Sequence, residues 1–170
     1  MEDANQTEFA APWGTALKIV SAVATAILLG VAVLGFVLGS LDNLSRAGMI
    51  ALPLTIMACC LVFIVRGYAI RGENLHIRRL FWMTVIPLAG LAWARHDPSA
   101  LRRSLRLFGN GGLYSFTGIF RNKELGTYRA YVNDLQRAVV LKLRDRTVVI
   151  SPDRPDEFVA AVTRHKAIIG

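Results

Sequence analysis

Few residues in this chain combine reactivity with the spacing that catalysis needs. His76, His96 and His165 lie far apart, and none belongs to an HExxH or a His/Cys pair, the patterns that aim two ligands at one metal. His96-Asp97 can be drawn into a triad with a serine, but no GxSxG turn presents a nucleophile. Gly109-Asn-Gly-Gly112 lacks the Gly-Lys-Ser/Thr ending of a phosphate-binding loop and the spacing of a dinucleotide fingerprint, so it reads as a hairpin turn using positive φ. Asp156-Glu157 is best explained as helix-start chemistry. Cys59 and Cys60 are neighbours, an arrangement that rarely bridges, and read as small packing residues. No catalytic, metal-binding or cofactor-binding residue is expected, and the chain reads as a non-enzyme without a cofactor.

The chemistry with most content is cationic. Arg66, Arg71, Arg78, Arg79, Arg95, Arg102, Arg103 and Arg106 fall within 41 residues. Guanidinium groups pair with carboxylates and phosphates. Each basic residue held near an anionic leaflet contributes about 1 kcal/mol of attraction. Arg78, Arg79, Arg95, Arg102, Arg103 and Arg106 are therefore the candidate contacts to anionic lipid headgroups or to an unidentified protein partner. The plainer alternative is that the arginines set topology and solubility, which suffices for Arg66 and Arg71. Nucleic acid is not an expected partner, because no DNA- or RNA-binding motif accompanies the charge.

The elements that must position these groups follow from composition. The chain has 170 residues, 54% hydrophobic and 19% charged, with 20 Lys+Arg against 12 Asp+Glu. That is too apolar for a disordered chain, too poor in charge for an ordinary soluble domain, and too basic for a plain membrane bundle. The two properties separate along the sequence. Residues 19–38 and 47–65 carry no charge and are long enough to cross about 30 Å of hydrocarbon as helices. The first is no signal peptide, since Glu2, Asp3 and Glu8 precede it and no Lys or Arg comes before Lys18. The short polar linker from Ser40 to Arg46 makes the spans an antiparallel hairpin. The linker holds one arginine, whereas four follow the second span by position 79, so both termini and everything after Val65 are expected on the cytoplasmic side of the inner membrane.

Small residues recur every fourth position in both spans: Ala22, Ala26 and Gly30, then Ala51, Thr55 and Cys59. Such stripes let helix backbones approach closely. They are expected to pack the hairpin, and they also suit an oligomer. Gly35 and Gly39 add a GxxxG, and Pro53 falls in the first turns of the second span. Neither span has an interior ionisable residue, which a proton relay or ion path needs. The membrane part reads as an anchor.

Removing Lys18 and Arg46 leaves 18 cations in residues 66–170, and removing Glu2, Asp3, Glu8 and Asp42 leaves 8 anions, a net +10 for this module. Its pattern is mainly β. Residues 68–71 and 75–81 read as strand, turn, strand, and 82–93 as one bent strand. Asp97-Pro98-Ser99 reads as a helix start, with a short helix carrying Arg102, Arg103 and Arg106. Strands follow at 114–121, 126–132, 138–143 and 147–150. Tyr128, Ala130 and Val132 share one face of theirs. A last helix spans 157–166, with Phe158, Ala161, Val162 and His165 on one face. About seven strands and a closing helix are the outline of a pleckstrin-homology-like barrel.

The residues then resemble a family of bacterial membrane-anchored PH-like proteins, in which two N-terminal spans precede a PH-like domain. The resemblance lies in Tyr68-Ala-Ile-Arg-Gly-Glu-Asn-Leu-His-Ile-Arg-Arg79, in Arg106-Leu-Phe-Gly-Asn-Gly-Gly-Leu-Tyr114 with Gly118-Ile-Phe-Arg121, and in Val149-Ile-Ser-Pro-Asp-Arg-Pro-Asp-Glu-Phe-Val159. It covers roughly positions 50–165 and implies no catalytic activity. The expected organisation is α+β: an N-terminal tail at 1–16, a hairpin at 17–65 with spans about 17–39 and 47–65, and a mainly antiparallel PH-like barrel with a C-terminal helix at 66–170. The expected function is a membrane-anchored binding or scaffold module with a basic surface. The alternative is an accessory subunit that docks into a membrane complex through its helices.

Overall fold

The computed structural model describes residues 6–38 and 42–169. The start of the N-terminal tail, Gly39 and the His165 side chain lie outside what is described. Helices α1 (Thr15–Val37) and α2 (Asn43–Val62) form an antiparallel hairpin. Both are long and apolar enough to cross a membrane. Their most apolar windows are 17% and 6% buried, whereas the core helix of a soluble protein is mostly covered. α2 begins earlier than the uncharged run, because the Asp42 carboxylate accepts the Leu44 and Ser45 N–H groups at 3.0 and 3.1 Å. That start puts Pro53 inside the helix and not in its first turns, where its missing N–H would have cost less. The helices meet closely at Gly35, where an added Cβ would stand 2.6 Å from Met49 Cβ.

The rest is two sheets and a helix. The first sheet has the order β1-β2-β3-β4, from β1 (Gln6–Ala10), β2 (Val65–Arg71), β3 (Asn74–Arg79) and β4 (Met83–Pro87). The second has the order β5-β9-β10-β8-β7-β6. It comprises β5 (Leu91–His96), β6 (Leu105–Gly111), β7 (Phe116–Asn122), β8 (Gly126–Val132), β9 (Val139–Leu143) and β10 (Thr147–Ile150). All pairs are antiparallel except β10 with β8. No ladder joins the two sheets among the described residues, so they are not closed into a barrel.

Three features depart from the sequence reading. β1 comes from the tail, where no element is expected, and pairs with β2 from Gln6↔Arg71 to Ala10↔Gly67. The stretch 82–93 is two strands in different sheets. Pro87, which ends the first, has no N–H to give a ladder, and Gly90 between them takes φ +78. The third departure is at 97–104, a run of turns with no helix. There Asp97 accepts Ser99 N–H at 2.9 Å and Ser99 Oγ–H at 2.6 Å as a capping residue would, but Arg103 takes φ +51, left-handed backbone that a right-handed helix does not continue through. β6 then replaces the expected helix end.

The main core lies between the sheets. Tyr68, Leu75, Ile77 and Ile86 of the first join Leu141, Leu143, Val148 and Ile150 of the second. Phe158 and Val162 of α3 (Pro155–Ile169) belong to the same cluster, and Phe158 meets Phe9 of β1 edge to face at 5.0 Å. Truncating a buried Phe to Ala costs about 3–5 kcal/mol, so α3 is a working part of the core. A smaller cluster, with Tyr128, Ala130, Val132, Val140 and Val149, lies on the other face of the second sheet under Ala100. With apolar groups on both faces, β9 and β10 read as unbroken hydrophobic runs.

A buried polar network crosses this core. Tyr68 donates to the Tyr131 carbonyl at 2.6 Å and accepts from Ser151 N–H at 3.1 Å. Burial pushes the phenol up to about 12 from 10.0, with the Ser151 hydrogen bonds and Arg79 opposing. The folded state therefore keeps the proton longer than the unfolded one, so this contribution is complete below pH 10 and lost as pH rises through 12. Tyr68→Phe should cost about 1–2 kcal/mol at neutral pH. It should also flatten the loss of stability between pH 10 and 12, measured by circular dichroism of thermal unfolding in mild detergent.

Candidate functional site

The helical hairpin is fixed to the sheets at defined points. Asn133, fully buried, donates from Nδ2 to the Ala11 carbonyl at 3.1 Å and to the Val65 carbonyl at 2.7 Å. Its own carbonyl accepts Gly14 N–H at 3.0 Å. The segments before α1 and after α2 are thus held by one side chain. The turn between β6 and β7 makes a second attachment, along α1. Ser21 Oγ–H donates to the Gly112 carbonyl at 3.1 Å and accepts Tyr114 N–H at 3.0 Å, and Thr25 Oγ1 lies 2.9 Å from the Tyr114 hydroxyl. The same turn reaches α2's end, where Ser115 Oγ–H donates to the Phe63 carbonyl at 3.4 Å.

Between this end of α2 and β6–β7 lies a cavity of about 730 Å³. Cys60 and Phe63 form one wall, and Phe108, Leu113 and Ile119 the other. Arg79, Arg106 and Arg129 reach it from β3, β6 and β8, and no Asp or Glu among the described residues lines it. Arg79 is half-buried. It donates to the Phe63 carbonyl at 3.1 Å and to Thr84 Oγ1 at 3.2 Å, and its guanidinium lies 5.2–5.7 Å from the rings of Phe63, Trp82 and Tyr131. Burial pushes its pKa below the usual value, with Tyr131 opposing. None of the three arginines has an ion-pair partner among the described residues.

The six predicted arginine contacts do not form one face. Arg78 is held by Glu8, with Nη1 2.9 Å from both carboxylate oxygens, and Arg95 pairs with Asp97 at 3.1 Å while stacking on Trp93. Arg102 and Arg103 are exposed on the 97–104 turn, without side-chain partners among the described residues. Of the six, Arg79 and Arg106 meet at the cavity. Arg129 is the group the sequence reading passed over, although the one face it assigned to Tyr128, Ala130 and Val132 already puts Arg129 on the other. A second hollow beside α2's end brings Arg66, Arg78 and Arg79 to Phe81, Trp82 and Met83.

Ala22, Ala26, Gly30, Ala51, Thr55 and Cys59 all lie on exposed faces of their helices. The stripes expected to pack the hairpin do not provide its close contact; Gly35 against Met49 does. Ala22 and Ala26 instead border a shallow groove with Trp13 and Tyr114. The spacing identified small residues, but not the direction in which they point.

The cavity wall depends on two glycines. Gly109 and Gly118 face each other across β6 and β7, at φ +107 and +146. A Cβ on Gly118 would stand 2.1 Å from the Phe108 carbonyl oxygen, too close without backbone movement. Gly118→Ala should therefore part β6 from β7. Hydrogen exchange of amides 105–111 should accelerate by at least about tenfold, while β9 and β10 keep their protection.

A sequence model described as the bacterial PH domain matches residues 66–166. No curated protein matches the chain.

Proposed function

The chain belongs to the bacterial PH domain family, and from that premise we propose that it is a non-enzymatic, membrane-anchored binding module. Its PH-like core presents arginines to an anionic headgroup or an acidic protein segment at the membrane surface. The observation that carries this reading is the set of guanidinium groups without carboxylate partners beside the ends of two exposed apolar helices. A charge with no internal partner is free to neutralise an external one. β1 before α1 pairs with β2 after α2, which supports a hairpin whose two ends lie on one side of the bilayer. The arginines after α2 favour the cytoplasmic side of the inner membrane.

A second reading is an accessory subunit of a membrane complex, docked through its helices. The outward-facing Ala51, Thr55 and Cys59 favour it.

One experiment separates them: capture of the full chain from gently solubilised membranes, with bound proteins and lipids identified by mass spectrometry. Reversing Arg102 and Arg103 to Glu removes about 2 kcal/mol of attraction or more, a roughly thirtyfold weakening. Under the first reading that variant loses a bound species, and an unchanged set sinks the reading. Under the second, Ala51→Leu with Thr55→Leu loses a membrane partner while the arginine variant does not.

A further inference from the structure

The cavity between α2 and β6–β7 has the chemistry of a single molecule with an anionic head and an apolar tail. Arg79, Arg106 and Arg129 supply three cations, and Phe63, Phe108 and Ile119 supply an apolar wall. We propose that it is a binding site for one anionic phospholipid, with the phosphate on Arg106 and Arg129, Arg79 behind them, and an acyl chain along the apolar wall. The inference rests on the reading of α1 and α2 as membrane-spanning and deepens the binding role.

The level of the cavity supports this occupant. Gly35 lies against Met49, and counting equally along the antiparallel helices from that contact puts Ser21 level with Phe63. The turn after β6 touches both. It follows α1 as far as Thr25, and from Thr25 to Val37 is about 18 Å at 1.5 Å per residue. From Cys59 back to Asn43 is about 24 Å. Both are short of the about 30 Å of hydrocarbon. A slab of that thickness measured from the far helix ends reaches past both positions, so the β6–β7 turn and the cavity mouth lie beside lipid. There Leu105, Leu107 and Phe108 are 72%, 56% and 76% exposed, and Phe108 continues into the cavity. A soluble anion would leave that apolar wall uncovered. A phospholipid covers it while neutralising the arginines.

The test uses the full chain in mild detergent, with retained lipid counted by native mass spectrometry. Dioleoyl-phosphatidylglycerol, dioleoyl-phosphatidylcholine and glycerol 3-phosphate are offered separately. One phosphatidylglycerol per chain should be retained at least about tenfold more tightly than phosphatidylcholine, whose phosphate is the same but whose quaternary ammonium would be held among three like charges. Glycerol 3-phosphate should not compete. Arg106→Gln with Arg129→Gln should abolish the preference, and Ile119→Trp, which fills the space, should block retention of both lipids. Equal retention of the two lipids, or a preference untouched by Arg106→Gln with Arg129→Gln, overturns the site. Full competition by glycerol 3-phosphate overturns the lipid assignment in favour of a phosphate site. Arg144→Gln with Arg146→Gln, exposed on the β9–β10 turn, should leave phosphatidylglycerol retention unchanged. Absence of the cavity preference while the Arg102 and Arg103 reversal still loses a bound species would spare the broader binding role, and the reverse would spare the cavity.

Discussion

The structure depends on a buried asparagine. Asn133 has two amide hydrogens, and it spends them on the carbonyls of Ala11 and Val65, 68 residues and more away along the chain. Those carbonyls belong to the segments that carry the chain into α1 and out of α2. Without this clamp each helix would join the sheets through a short free stretch, and the hairpin could swing. Ser151 and Tyr68 extend the clamp, since Ser151 Oγ accepts Asn133 N–H at 2.8 Å and Tyr68 bridges Tyr131 and Ser151. Buried hydrogen-bonded networks of this kind specify one arrangement, because breaking a member strands its partner. The arrangement they specify here is the orientation of the β module on its two helices.

Arg79 works on the same joint from the outside. It ties the Phe63 carbonyl, just past α2, to Thr84 of β4 and sits among three aromatic rings. A guanidinium suits this place, since it is more weakly hydrated than an ammonium and stacks on rings. Holding it without a carboxylate leaves positive potential in a partly dry corner. Arg78, one residue earlier, points to the opposite face of β3 and is neutralised by Glu8 of β1. Alternation along one strand thus gives adjacent arginines different jobs: one closes the N-terminal strand onto the sheet, the other keeps its charge at the joint.

Much of this was legible in the sequence. Two uncharged runs marked the helices, period-two patterns marked β2, β3 and β8, and short apolar runs marked β9 and β10. Phe158 and Val162 showed which face of α3 is buried. What was not legible needed tertiary partners. β1 is five residues with little pattern of its own, and it is a strand because β2 offers it a ladder and Phe158 a ring to pack on. The division of 82–93 between two sheets lies in where Gly90 sends the chain, which hydropathy does not record. β6 was hidden because its apolar residues do not alternate into a core: Leu105, Leu107 and Phe108 are all exposed. The arginines failed as one surface for the same reason. Sequence proximity put them together, whereas β3, β5 and β6 lie in two sheets and at both edges of one.

β6 also sharpens what the hairpin does for the module. A long edge strand with exposed Leu, Leu and Phe is an aggregation hazard in water, and proteins usually blunt such edges with charge, proline or a covering element. Here Arg106 is the one charge on the strand. The Gly109–Gly118 approach keeps β6 tightly bound to β7 on one side, but its other side stays open. The covering element need not be protein. The turn that ends β6 is hydrogen-bonded along α1, so the strand is held beside two helices long and apolar enough to cross a membrane, where lipid would cover it. On that view the helices do more than tether the module. They supply the solvent in which its most exposed edge is stable, and the excised β module would keep that edge without its cover.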